Sequence, residues 1–160
     1  MADHSNLKKN ANATVRTGNE LMSLDSSVTQ IIIDNGVSAS NFTVLDLTRF
    51  TQLRLLEVGN HCFTFVNELS ITGLSELESV KIGSKSFRDD DSKGGSFYLK
   101  NCPKLRELRI TGVRSFEYFD VIEIENVDAL EVIKMGELNE ESRNFRYASL
   151  ELKSILIHCE

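Results

Sequence analysis

Three groups of residues in this chain have types that could do chemistry. His61 stands beside Cys62, the pairing of a nucleophilic thiol with a general base. Asp89, Asp90 and Asp91 form a run of carboxylates of the kind that holds a divalent cation. Cys62, Cys102 and Cys159 carry thiols suited to disulfides or zinc. Spacing argues against each. Adjacent residues on an extended strand point to opposite sides, so His61 is badly placed to take the Cys62 proton. A calcium loop alternates its acids around a turn glycine and adds a distal glutamate, which the stretch from Arg88 to Gly95 does not do. The cysteines are odd in number and far from any CxxC spacing. His4 lies in a polar leader, and His158 lies in the irregular last residues. The chain is therefore expected not to be an enzyme, with no catalytic residue, no metal ligand and no cofactor. Cys62 and Cys102 are read as packing residues.

The better candidates are charged residues on a surface, and a repeat is what would position them. Leu77-Glu-Ser-Val80-Lys-Ile82-Gly83 reads L-x-x-h-x-h-G, where h is apolar. The phrase recurs from Leu53 to Gly59, from Leu105 to Gly112 with one extra residue, from Leu130 to Gly136, and more weakly from Val28 to Gly36. The anchors at 28, 53, 77, 105 and 130 are 25, 24, 28 and 25 residues apart. That period is the range of leucine-rich repeats. Phe63, Phe87 and Phe116 follow the glycine at a nearly fixed offset, with Phe145 later in its own repeat. A small or thiol residue precedes the first three: Cys62, Ser86 and Ser115. A short alternating pair then appears in each repeat: Leu45/Leu47, Leu69/Ile71, Phe97/Leu99, Ile122/Ile124 and Leu150/Leu152.

Neither phrase has the i, i+3, i+4, i+7 pattern of an amphipathic helix. Each repeat is expected to hold two short strands and to bury its apolar side by stacking on its neighbours. The fold class predicted is mainly β, a leucine-rich-repeat-like right-handed solenoid of about five coils with little or no helix. Residues 28–154 form the solenoid, 1–27 a polar leader or N-terminal cap built on Leu21, Met22 and Leu24, and 155–160 an incomplete coil or short C-terminal cap. Residues with equal offsets should stack. The column after the anchor reads Arg54, Glu78, Arg106, Glu131, alternating in sign. The phenylalanines should form an aromatic spine. The glycine column is expected to mark a turn of positive φ.

The repeat resembles the BspA-like class of leucine-rich repeats, found in bacterial surface antigens and protist proteins. The resemblance is carried by Ile82-Gly83-Ser-Lys-Ser86-Phe87 and Leu99-Lys-Asn101-Cys102-Pro103-Lys-Leu105. It covers roughly residues 28–155. The coil from Leu53 has Gly73-Leu74 where the asparagine–cysteine pair belongs, and the coil from Leu105 has Asn126-Val127. The resemblance implies a right-handed solenoid with a binding role, often at a cell surface.

On that scaffold the outward positions of the long strand make the candidate site. One column reads Gln30, Leu55, Ser79, Glu107, Val132, and the other Ile32, Glu57, Lys81, Arg109, Lys134. Lys81, Arg109 and Lys134 form a basic stripe in a chain of net charge −6. Stacked like charges cost stability unless neutralised, by Glu107 on the same face or by an acidic partner. The partner expected is a protein or peptide, acidic where it meets Lys81, Arg109 and Lys134, with Glu57 and Glu107 in the contact. The insertion at 88–96 is a second place for contact. The acidic balance argues against nucleic acid. No segment reaches the roughly 18 apolar residues of a membrane span. No signal peptide is evident, so the chain as given reads as cytoplasmic, or as a cell-surface protein if an upstream leader is missing. The alternative function is structural or adhesive, with self-association through the open C-terminal edge.

Overall fold

The computed structural model describes residues 11–38, 40–41, 43–88, 94–136 and 142–153. In chain order the elements are β1 (Asn12–Val15), α1 (Gly18–Ser23), β2 (Gln30–Ile33), β3 (Val44–Asp46), β4 (Leu55–Val58) and β5 (Glu68–Thr72), then β6 (Ser79–Ile82), β7 (Gly95–Lys100), β8 (Glu107–Ile110), β9 (Phe119–Glu125), β10 (Val132–Met135) and β11 (Ser149–Lys153). The long phrases form one six-stranded sheet, ordered β1-β2-β4-β6-β8-β10. The short phrases form a five-stranded sheet, ordered β11-β9-β7-β5-β3. The strand pairings are parallel, as in a β-solenoid.

One expectation needs correction. The solenoid makes about four complete turns, from β2 round to β10, rather than five, because the coil of β10 and β11 is followed by no further long strand among the described residues. Ahead of Val28 the chain adds a strand to the sheet at the N-terminal end. β1 pairs with β2 from Asn12↔Gln30 to Val15↔Ile33, and Val15 is fully buried. Six strands at the usual spacing make a body about 24 Å long.

Between β1 and β2 the chain forms α1 where later coils have a short strand. Thr17 caps it by accepting the Glu20 N–H at 3.1 Å, and the Glu20 carboxylate takes the Arg16 N–H at 2.6 Å. Leu21 is buried beneath the helix, whereas Met22 is 61% exposed, so Met22 takes no part in the cap's core. Arg49 ties α1 to the first coil. Its guanidinium donates to the carbonyls of Leu21, Met22 and Leu24 at 2.8–3.1 Å and lies over the Phe50 ring. These are the carbonyls a helix C-terminus leaves unpaired.

The core follows the repeat. The anchors Leu53, Leu77 and Leu105 have no exposure, nor do Val80, Leu99 and Cys102. Phe63, Phe87, Phe116 and Phe145 stack as a continuous spine, with centroids 5.4, 5.0 and 4.7 Å apart. The alternating column closes into two ion pairs, Arg54–Glu78 and Arg106–Glu131, each 2.7 Å. Being exposed and screened by solvent, they fix register more than stability.

The glycine expectation holds only in part. Gly112 and Gly136 have φ near +75°, but Gly59 and Gly83 do not have positive φ. There glycine is needed for space. A Cβ on Gly83 would stand 2.6 Å from the carbonyl of Gly59, and one on Gly59 would stand 2.7 Å from the Asn35 nitrogen. The left-handed conformation falls instead on His61, Lys85, Arg114 and Arg143, and on the four phenylalanines of the spine.

Candidate functional site

The strand register places the candidate columns as their spacing required. Ile32 pairs with Glu57, Glu57 with Lys81, Lys81 with Arg109, and Arg109 with Lys134. Alternation turns Val80, Ile82, Leu108 and Ile110 into the core and leaves the column residues outside. Glu57, Lys81, Glu107 and Arg109 are half-buried, and Lys134 is exposed. Arg109 and Glu107 form an ion pair, and Glu107 also accepts the Ser79 hydroxyl at 3.4 Å. The middle cation of the stripe is thus neutralised on its own strand. Lys81 and Lys134 make no ion pair among the described residues. A shallow pocket of about 230 Å³ adjoins the stripe, lined by Arg109, Ile110, Thr111, Gly112, Lys134 and Gly136.

The chemical candidates separate. Cys62 is fully buried and its thiol donates to the Asp34 carbonyl at 3.1 Å, while His61 is exposed at a left-handed turn. Burial pushes the Cys62 and Cys102 thiols above their ordinary range, which disfavours the reactive thiolate. Among the described residues no group of three histidines, cysteines or carboxylates could hold a metal ion. Asp89, Asp90, Asp91 and Cys159, and most of the 88–96 insertion, lie outside the described residues, as does 155–160.

No family model, curated protein or solved structure matches this chain.

Two features were missed at the level of sequence. The small-residue column does more than fit. Ser86 accepts the Cys62 N–H at 3.1 Å and donates to the Gly59 carbonyl at 2.8 Å. Ser115 repeats the pattern one coil on, accepting from Ser86 N–H at 3.2 Å and donating to Gly83 at 2.6 Å. Asn144 continues it, accepting the Ser115 N–H at 2.7 Å. This buried ladder satisfies backbone groups at the turn where the sheet's own hydrogen bonds end. The second feature is a basic corner. His61, Lys85, Arg114 and Arg143 occupy one position on successive coils, and the first three each donate a backbone N–H to a carbonyl of the next coil. Each stands two residues before a spine phenylalanine, so the column is present in the sequence, whereas its left-handed conformation shows only in the backbone path.

No helix of the described residues is long and apolar enough to cross a membrane.

Proposed function

We propose that this chain is a non-catalytic protein-interaction module of the BspA-like leucine-rich-repeat kind, with the long-strand face as its contact surface for an acidic protein or peptide. The observation that supports this reading is the column of Lys81, Arg109 and Lys134 held in register on a six-stranded sheet. Lys81 and Lys134 flank an arginine already paired to Glu107, so they are the two charges a partner would neutralise. Glu57 beside Lys81 would set where an acidic segment ends. Replacing Lys81 and Lys134 with glutamate should cut binding to an immobilised glutamate-rich peptide at least tenfold at low salt, with the unfolding midpoint little changed. Equal binding by the variant would remove the face from the reading.

A second reading, self-association, is favoured by the last described coil. Ile133, Leu150 and Leu152 are 38%, 47% and 58% exposed, although they hold offsets that are buried in earlier coils. Edge strands with apolar inner faces invite pairing. Light scattering should then show a mass that rises with concentration, and Leu150→Glu with Leu152→Glu should return it to the monomer. A constant monomer mass at high concentration rejects this second reading.

A further inference from the structure

The basic corner combines two unfavourable features at the same residues. His61, Lys85, Arg114 and Arg143 have φ of 56°, 56°, 60° and 47°. This left-handed region suits glycine and asparagine and disfavours long side chains. Elsewhere the chain uses those residues, or a phenylalanine whose packing in the spine offsets the strain. Gly36 holds the equivalent position in the first coil at φ 74°, and the turn after the short strands has Gly73, Asn101 and Asn126. The long cations are also stacked one coil apart, about 4.8 Å, so that they repel. Among the described residues Lys85 and Arg114 have no ion pair. Among the described residues Arg143 reaches Glu117 at 3.8 Å, and that carboxylate is already bound to Arg88 at 2.8 Å. Lys85, Val113, Arg114 and Arg143 line a groove of about 380 Å³. Strain and repulsion that persist together at a lined groove point to a ligand that compensates for both.

We infer that this corner groove binds an extended acidic peptide, with Lys85, Arg114 and Arg143 as its carboxylate contacts and His61 at one end. The inference rests on reading the solenoid as a peptide-binding module, and it adds a site separate from the Lys81–Lys134 column. Lys85 to Arg143 is two coil steps, about 10 Å, which an extended peptide spans in about three residue steps. Among the described residues the groove's apolar lining is Val113, which offers no aromatic platform for bases, so a peptide fits better than a single-stranded nucleic acid.

The test uses the full chain and a fluorescein-labelled peptide of alternating glutamate and serine. Lys85→Asn with Arg114→Asn should lower its affinity at least tenfold. The same substitutions should raise the unfolding midpoint by about 3 °C per site, because asparagine accepts the turn conformation that lysine and arginine strain. Four results would overturn the proposal. The first is unchanged affinity in this variant while Lys81→Glu with Lys134→Glu weakens binding, which leaves the face reading standing. The second is a lowered midpoint, which makes the cations structural. The third is tighter binding of an oligothymidylate than of the peptide. The fourth is no peptide binding by the wild-type chain, which removes both sites together.

Discussion

Replacing Phe116 with alanine should cost about 3–5 kcal/mol of folding stability, the largest loss expected from any single truncation in this chain. The ring has no exposure and is the hub of the aromatic spine. It stacks on Phe87 at 5.0 Å, Phe97 at 5.2 Å and Phe145 at 4.7 Å, and meets Phe119 edge-on at 5.0 Å. Those partners come from the five-stranded sheet and from the turns of neighbouring coils, three coils in all, so the surrounding structure cannot close over the gap without shifting several coils at once. Alanine also leaves the strain in place, because the backbone at 116 keeps its φ of 55°. The position within the stack enlarges the consequence. In a solenoid each coil is supported only by its neighbours, and a weak interface near the middle divides the array. The thermal midpoint should fall by roughly 10 °C. Urea unfolding followed by circular dichroism should also lose its single transition, as the coils beyond β8 separate from those before it. A loss below about 1 kcal/mol would show that the spine is not what joins the coils. Phe116→Leu, which keeps most of the volume, should recover more than half of the deficit.

The parts of this fold that were legible in sequence are those governed by periodicity. A two-residue alternation repeated at a nearly constant period fixes which residues face inward and which columns stack. The pairings of Glu57, Lys81, Arg109 and Lys134 follow from that alone. The parts that were not legible depend on the backbone path. β1 and α1 carry no copy of the repeat phrase. β1 buries a single residue fully, Val15, and joins the sheet by backbone pairing to β2, which leaves almost no hydrophobic signature. Ser86 and Ser115 read as merely small, because nothing in their type says that both turn carbonyls and N–H groups lie within reach. The basic corner was hidden for the same reason. Lys85 and Arg114 look like solvated charges until φ shows what their positions cost. The two candidate surfaces differ accordingly: the strand face follows from pattern alone, whereas what sets the corner apart, its left-handed backbone, follows only from conformation.

Gly83→Ala should be the second most damaging small change, and it separates two uses of glycine that sequence cannot distinguish. At Gly83 the backbone has no positive φ, so the conformation itself accepts alanine. The obstacle is the neighbouring coil: the new methyl would lie 2.6 Å from the Gly59 carbonyl carbon and oxygen and 2.6 Å from Asn60 Oδ1. Backbone cannot yield as a flexible side chain does, so the two coils must part. The hydrogen bonds at stake are Gly83 N–H to Val58 at 2.8 Å, Ser84 N–H to Asn60 Oδ1 at 2.8 Å, and the Ser115 hydroxyl to the Gly83 carbonyl at 2.6 Å. Overpacking of this kind costs about 1–3 kcal/mol, and broken buried hydrogen bonds place the expected loss near the top of that range. Gly73 is the control. It has φ of 72° with nothing within 4 Å of an added Cβ, so Gly73→Ala should cost only the conformational penalty, about 1 kcal/mol, and Gly73→Asn less still. If Gly83→Ala proves no worse than Gly73→Ala in matched denaturation curves, close coil approach is not what Gly83 provides. The stake extends to binding, because Gly83 lies between Lys81 and Lys85 in the chain. Parting the coils there would move the strand-face stripe and the corner cations out of register together, and peptide affinity should fall at both sites even where the domain stays folded.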